Sequence, residues 1–287
     1  MKILVIGGTG TVGSAVVTEL TKRSASVFVL TRSAEHVKKL TAGVTGVVGD
    51  LLDPASLGAF TGMDAVFLLN PVGPNEAHEG LMGVNGARGA HVRRLVYLSV
   101  HDLEKASHLP HFGCKIGVEF AVRHSGIHHT ILRPNNFYQN DVWYKQALLE
   151  YGVYPQPLGS VGTSRVDVRD IAEAAAIALT TDKHDGEIYN LVGPEAVTGE
   201  STAADWSRAL GRPVRYAGDD LEAWEAQNKP YLPPSMLYDF KMMYAFFQAH
   251  GLKATANDIT RQTALLGHAP RKFSDYTAEI AALWKSS

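Results

Sequence analysis

Three glycines at a fixed spacing are the first residues of this chain that could hold a ligand. Gly7, Gly10 and Gly13, in the run Gly7-Gly8-Thr9-Gly10-Thr11-Val12-Gly13, stand between the apolar stretch Ile3-Leu4-Val5-Ile6 and a segment where Ala15, Val16, Val17 and Leu20 recur at helical spacing. Strand, glycine turn and helix, in that order, suit a dinucleotide loop. One glycine turns the chain tightly, one lets the backbone approach a pyrophosphate, and one lets helix pack on strand. The phosphates would sit at the helix N-terminus, where unpaired N–H groups and the dipole favour negative charge, with Thr9, Thr11 and Val12 in the same loop.

The next candidates extend that ligand outward. A second apolar run, Val27-Phe28-Val29-Leu30, ends in Thr31-Arg32-Ser33. An acidic residue at this position would bind the 2′-hydroxyl of NAD, whereas arginine with small hydroxyl neighbours accommodates the 2′-phosphate of NADP. Arg32, flanked by Thr31 and Ser33, therefore predicts NADP(H). A third strand, Val44 to Gly49, leads to Asp50 and Leu51, with Asp50 placed to accept from the adenine amino group. Asp53 is expected to cap a helix starting at Pro54. The fourth strand, Ala65 to Leu69, ends at Asn70-Pro71, so Leu69, Asn70 and Pro71 should pass beside the nicotinamide. Ser99 closes a fifth strand, Arg94 to Ser99, at the end where open parallel sheets bind ligands.

Other reactive side chains form weaker patterns. His108-x-x-His111 and His128-His129 lack a third ligand at metal-site spacing, so no metal is expected. Cys114 beside Lys115 reads as a small helix residue, without a placed His-Asp pair to activate it.

The elements that must position these residues alternate regularly. A helix from Glu76 to His91 carries Gly80, Gly83, Gly86 and Gly89, each costing about 1 kcal/mol against alanine; their spacing argues for close packing against a neighbour or a partner subunit, such as a homodimer. Another helix opens at Phe112, and the sixth strand, Thr130 to Leu132, is halted by Arg133-Pro134. Six strands alternating with helices predict an α/β fold, a doubly wound parallel sheet with right-handed crossovers. Further on, Phe137 to Leu149 reads as helical, Asp167 as the cap of a helix running to Leu179, and Ile188 to Val192 as a strand. From Gly193 the composition shifts to proline and aromatic clusters, with helices near 235–249, 256–266 and 273–284. The expected division is a dinucleotide-binding Rossmann domain over 1–193, with part of 136–165 joining a smaller, mainly helical substrate lobe over 194–287.

Whole-chain properties narrow the function. Across 287 residues, 27 basic and 29 acidic side chains give a formal charge of −2, without the basic excess of a nucleic-acid or membrane-surface binder. The single cysteine excludes an intramolecular disulfide. No apolar run approaches the ~20 residues of a membrane helix, and the first strand begins at once, so the expectation is a cytoplasmic protein acting on a small molecule.

Taken together, Gly7 to Gly13 with G-x-x-G-x-x-G spacing, Arg32, Gly49-Asp50, Tyr97-Leu98-Ser99, Lys115 with Glu119, and Thr130-Ile131-Leu132-Arg133-Pro134 followed by Phe137 and Asn140 resemble the NmrA-like branch of the atypical short-chain dehydrogenases. Asp167 to Ala172 and Tyr189 to Pro194 extend the likeness to about residue 195. The resemblance implies either an NAD(P)H-dependent reductase of quinones, dyes or related acceptors, or a regulator that binds the dinucleotide without turnover. It also implies that Lys115 hydrogen-bonds the nicotinamide ribose and eases proton donation nearby, and that Pro134 and Asn135 lie against the cofactor. Catalytic short-chain dehydrogenases carry Tyr-x-x-x-Lys, and here His111 replaces the tyrosine. His111 could supply the proton, the acceptor could need little help, or the site could only sense NADPH. Asn136, Phe137, Asn140, Trp143 and Tyr144 are expected to contact the acceptor, as flat apolar walls with a few amides suit a conjugated carbonyl.

Overall fold

The computed structural model describes residues 1–286. The chain forms two compact units, Met1–Pro134 with Val168–Asn190, and Asn135–Asp167 with Leu191–Ser287.

The first unit is built on a parallel sheet. Strands β1 (Lys2–Ile6), β2 (Ser26–Thr31), β3 (Thr45–Val48), β4 (Ala65–Leu68), β5 (Arg94–Leu98) and β6 (His128–Pro134) alternate with helices α1 (Thr11–Lys22), α2 (Ala34–Lys38), α3 (Glu76–Gly89) and α4 (Pro110–Arg123). The chain then passes through the second unit, which includes the short β7 (Val153–Tyr154), and returns as α5 (Val168–Thr180) and β8 (Ile188–Leu191). Spatial order is β3-β2-β1-β4-β5-β6-β8, and the paired strands from β1 to β6 run parallel. All of β4 and β5 is buried, as expected of strands covered on both faces. The order reverses beside β1, whose successor crosses to one side while β4 lies on the other. Ligands bind at such switch points, outside the carboxyl ends of the strands.

Packing explains the glycine-rich α3. A methyl group on Gly80 would lie 2.7 Å from Val118 of α4, on Gly83 2.5 Å from Leu68 of β4, and on Gly86 2.8 Å from Phe60. These three glycines thus seat α3 against its own chain, so their packing needs no partner subunit. The segment after Asp53 is a 3-10 helix, Pro54–Phe60, and Asp53 caps it by accepting from the Ala55 amide (3.0 Å).

The second unit departs from the regular helix expected over 137–149. It holds a 3-10 helix, Tyr138–Tyr144, and then a π-helical turn, Ala147–Tyr151, which ends at Gly152 in the left-handed region (φ 59°). Side chains three apart eclipse in a 3-10 helix, and this stacks Tyr138, Asp141 and Tyr144 on one inward face. Tyr138 and Asp141 are buried and Tyr144 is half-buried. Asp141 is fully buried and pairs with equally buried Arg165 (2.7 Å), while also accepting from Gln156 (2.9 Å), Tyr154 (3.2 Å) and the Trp206 indole (2.8 Å). The remainder is α6 (Gly199–Leu210), β9 (Arg215–Tyr216) paired with β7, α7 (Leu221–Asn228), α8 (Pro234–His250), α9 (Ala256–Leu266) and α10 (Phe273–Lys285).

Candidate dinucleotide site

A cleft of about 510 Å³ opens at the carboxyl ends of β1 to β4 in the first unit. Its floor begins at the glycine turn. Gly7 has φ +75°, and a methyl group there would lie 2.9 Å from the Leu69 carbonyl oxygen. At Gly13 it would lie 2.1 Å from the Gly7 carbonyl oxygen, so α1 is pressed directly on the turn. Gly10 is different, because its added methyl would meet that same oxygen at an ordinary 3.5 Å. Nothing in the fold requires glycine at 10, yet it faces the cleft. Gly8, to which the sequence assigned no role, packs instead on Val29 of β2, 2.8 Å from an added methyl.

The N-terminus of α1 is free to meet an anion. Its capping residue is Gly10, no side chain caps it, and its first turn carries no acidic residue. Helix N-termini left in this way present N–H groups and a partial positive charge. Thr9 lines the cleft beside Gly7 and Gly10. Thr11 is exposed at the helix start, whereas Val12 and Gly13 are buried beneath it.

The adenosine end of the cleft is polar. Thr31, Arg32 and Ser33 line it, with Arg32 exposed and Thr31 buried. Asp50 also lines it, held by a 2.9 Å bond from the Leu52 amide and by its own amide donating to Ser56 Oγ (2.9 Å). Leu51 is buried there, while Leu69, Asn70 and Pro71 form the wall from β4. Two wall residues escaped the sequence reading, His36 of α2 and Glu79 of α3. A basic side chain one turn after Arg32 was a visible signal for the first. Glu79 gave none, since an acidic residue in a first helical turn is ordinary. Burial pushes the Glu79 carboxyl above the usual range, the Arg32 charge opposes this, and Asp50 adds to it.

Buried polar groups lie unused at the ends of β4 and β5. The amide oxygen of Asn70 and the hydroxyl of Ser99 have no hydrogen-bond partner among the described residues, while the Asn70 amide nitrogen faces the Glu79 carboxyl. Unmade bonds of this kind are costly unless a ligand completes them. With the uncapped α1 and the close Gly7–Gly13 contact, these groups fit a bound dinucleotide.

Other sequence candidates lie outside the cleft wall. Lys115 of α4 is buried, and its ammonium is ion-paired with Glu76 in the first turn of α3. The second carboxylate oxygen of Glu76 is buried without a partner. His111 is half-buried one helical turn before Lys115, its ring edge-on to Phe112 at 4.8 Å. Tyr97 beneath them stays a neutral phenol, pushed well above its usual value by burial and then by the charge of Glu76. Pro134 ends β6 and accepts from the His101 amide (3.0 Å).

The acceptor candidates belong to the second unit. The Asn135 amide donates to the Leu252 carbonyl (2.7 Å) and accepts from the Asn136 amide N–H (2.7 Å). Asn136 Oδ1 and the Phe137 carbonyl both accept from Arg165 (2.9 and 2.7 Å). Asn140 is half-buried, and Trp143 is 71% exposed. The Tyr144 hydroxyl is pushed up by burial and bonded to Tyr244.

The model of the NmrA-like family matches residues 1–277 of the chain. The chain belongs to the NmrA-like family. This NmrA-like protein is 34% identical over 285 residues to the NAD(P)H azoreductase of Xenophilus azovorans, covering 98% of each chain. It is likewise 34% identical over 283 residues to the (4-alkanoyl-5-oxo-2,5-dihydrofuran-3-yl)methyl phosphate reductase of Streptomyces griseus, covering 97% of this chain and 98% of that one. Among solved structures, the NADPH-dependent quinone oxidoreductase of Escherichia coli, complexed with NADPH, superposes with a TM-score of 0.85 at 25% identity, over 97% of this chain and 99% of that one. Among the described residues, no helix of the NmrA-like chain is long and apolar enough to cross a membrane.

Proposed function

We propose that this NmrA-like protein is an NADPH-dependent reductase acting on a small conjugated, carbonyl or quinone-type acceptor. The observation that carries the cofactor is Arg32 at the end of β2, in the wall of a cleft whose glycine turn is built for close backbone approach. Two relatives of near-equal length that are themselves reductases support the reaction class. A nicotinamide dinucleotide supplies a hydride when bound.

The chain's residues would divide the work. The free N–H groups of α1 neutralise the pyrophosphate, Arg32 with Thr31 and Ser33 takes the 2′-phosphate, and Asp50 accepts from the adenine amino group. Asn70 and Ser99 complete their missing hydrogen bonds on the bound ligand. Lys115 and His111 share one face of α4, and His111 is the residue proposed to deliver a proton. The acceptor contacts are assigned to Asn136, Phe137, Asn140, Trp143 and Tyr144.

A second reading is favoured by one contact. Lys115 is already engaged by Glu76, and no tyrosine stands at 111, as would suit a protein that binds NADP(H) and signals its redox state without turnover. Following NADPH absorbance against a panel of quinones, enones, aldehydes, azo compounds and dyes separates the two. Turnover with any acceptor supports the reductase, and His111→Ala should then slow it by about 10²- to 10⁴-fold if this residue donates the proton. Tight NADPH binding with no acceptor reduced would replace the reductase by the sensor. Arg32→Ala should lower the NADPH-to-NADH affinity ratio about tenfold or more, the loss of a charge-assisted contact.

A further inference from the structure

The charge balance of the cleft points to one more selectivity residue. Asp50 and Glu79 both line it, against Arg32 and His36. Glu79 comes from the first turn of α3 and is 8% exposed. Around it stand Arg32 from the end of β2, Asp50 from the end of β3, the Asn70 amide from the end of β4, and Glu76 on its own helix. Lys115 of α4 is committed to Glu76. Among the described residues Arg32 is thus the one permanent cation lining the cleft, with two carboxylates in the same wall. A 2′-phosphate adds a charge of about −1.5 to −2 near neutrality, more than Arg32 can offset while both carboxylates stay ionised.

We propose that Glu79 binds a proton when a 2′-phosphorylated dinucleotide enters the cleft, so that NADPH binding takes up a proton and NADH binding does not. A like charge nearby disfavours the ionised form of a buried carboxyl, and the 2′-phosphate is such a charge. The pyrophosphate charge common to both nucleotides is met by the N–H groups of α1, so the 2′-phosphate is the charge left over, and protonation makes Glu79 a neutral donor toward it. The same residue therefore gives selectivity a pH dependence. Burial has already moved this carboxyl toward neutrality, which shortens the remaining step. The sign follows from linkage. The complex holds more protons than the free protein, so NADPH affinity falls as pH rises between the free and bound pKa values of Glu79.

The inference rests on the cleft being the NADP(H) site and is tested on the full chain by calorimetric titration with NADPH and with NADH. Each titration is run in two buffers of different protonation enthalpy, from about pH 5 to 8, the range in which a raised carboxyl and a histidine titrate. The 2′-phosphate titrates near pH 6 and sheds protons on meeting Arg32 whatever stands at 79. The expected result is therefore that with NADPH the parent takes up more protons than Glu79→Gln, by up to about one per site, and with NADH no more, with the parent's NADPH Kd rising more steeply with pH than the variant's. Glu79→Gln, which keeps the shape, should show only the phosphate's own proton exchange and the shallower pH dependence. His36→Asn should keep the parent's excess and its steeper dependence. An equal proton balance for NADPH in the parent and in Glu79→Gln, the same excess with NADH, or its loss in His36→Asn would each overturn the inference. Should NADPH fail to bind, the cofactor reading falls with it; binding without Glu79-dependent uptake removes this inference alone.

Discussion

Replacing Lys115 tests the buried pair before it tests any chemistry. The side chains of Lys115 and Glu76 are 8% and 3% exposed, so Lys115→Met leaves a carboxylate in the interior with neither water nor counter-ion. Breaking such a pair from one side costs about 3–5 kcal/mol, a large share of the ~5–15 kcal/mol that holds a typical protein folded. Glu76→Gln should cost a similar amount by stranding the ammonium. It also removes a negative charge from the first turn of α3, worth about 0.3–1 kcal/mol. The double variant Lys115→Met/Glu76→Gln strands no charge and should recover most of the loss, to within about 1–2 kcal/mol of the parent. Urea denaturation of the four proteins measures the cycle, and NADPH oxidation on the same samples separates fold from function. If stability returns in the double variant while turnover does not, Lys115 has a part in the reaction beyond packing. A Lys115→Met variant within about 1 kcal/mol of the parent would mean that water reaches the pair, and the view of Lys115 as sequestered would be wrong.

Three further outcomes follow from packing and from a second buried pair. Gly13→Ala drives a methyl group to 2.1 Å from a backbone oxygen that cannot yield, so it should lower stability by about 2–3 kcal/mol and weaken NADPH binding together. Gly10→Ala meets only an ordinary 3.5 Å contact and should weaken NADPH binding with a stability change of about 1 kcal/mol or less. Asp141→Ala leaves Arg165 unpaired with no exposure to solvent and should cost about 3–5 kcal/mol, read as an early urea transition in the second unit. A benign Asp141→Ala would show that the remaining bonds of Arg165, to Asn136 Oδ1 and the Phe137 carbonyl, suffice to hold its charge.

What could be read from the chain alone was whatever is local. Continuous apolar runs mark β1, β4 and β5 because both of their faces are covered, and the turn at Gly7 to Gly13 announces itself by residue type. Arg32 was legible because it ends a strand whose direction was already known. The irregular stretch 138–151 was not, because its apolar spacing approximates a helix and only burial of Asp141 against Arg165, far along the chain, selects the tighter turn. Helix α6 did carry a local signal, the reciprocal cap between Thr198 and Ser201, hidden behind the Gly193-Pro194 pair that reads as loop. Glu79 and the partner of Lys115 were invisible for another reason. Each depends on which face of α3 meets the sheet, and four glycines in that helix blur its polarity.

The three crossings of the chain between its units bear on how the molecule is made and can be recombined. Strand β8, the neighbour of β6, and helix α5, which packs on α1, lie after residues 135–167. On the ribosome the nucleotide-binding sheet must therefore wait, with β6 as an open edge able to pair with another chain, until that excursion has been synthesised. A fragment cut at Pro134 would keep that edge for good. Exchanging the second unit with that of a relative consequently means transplanting two separate segments, while the returning stretch Val168–Asn190 stays with the host.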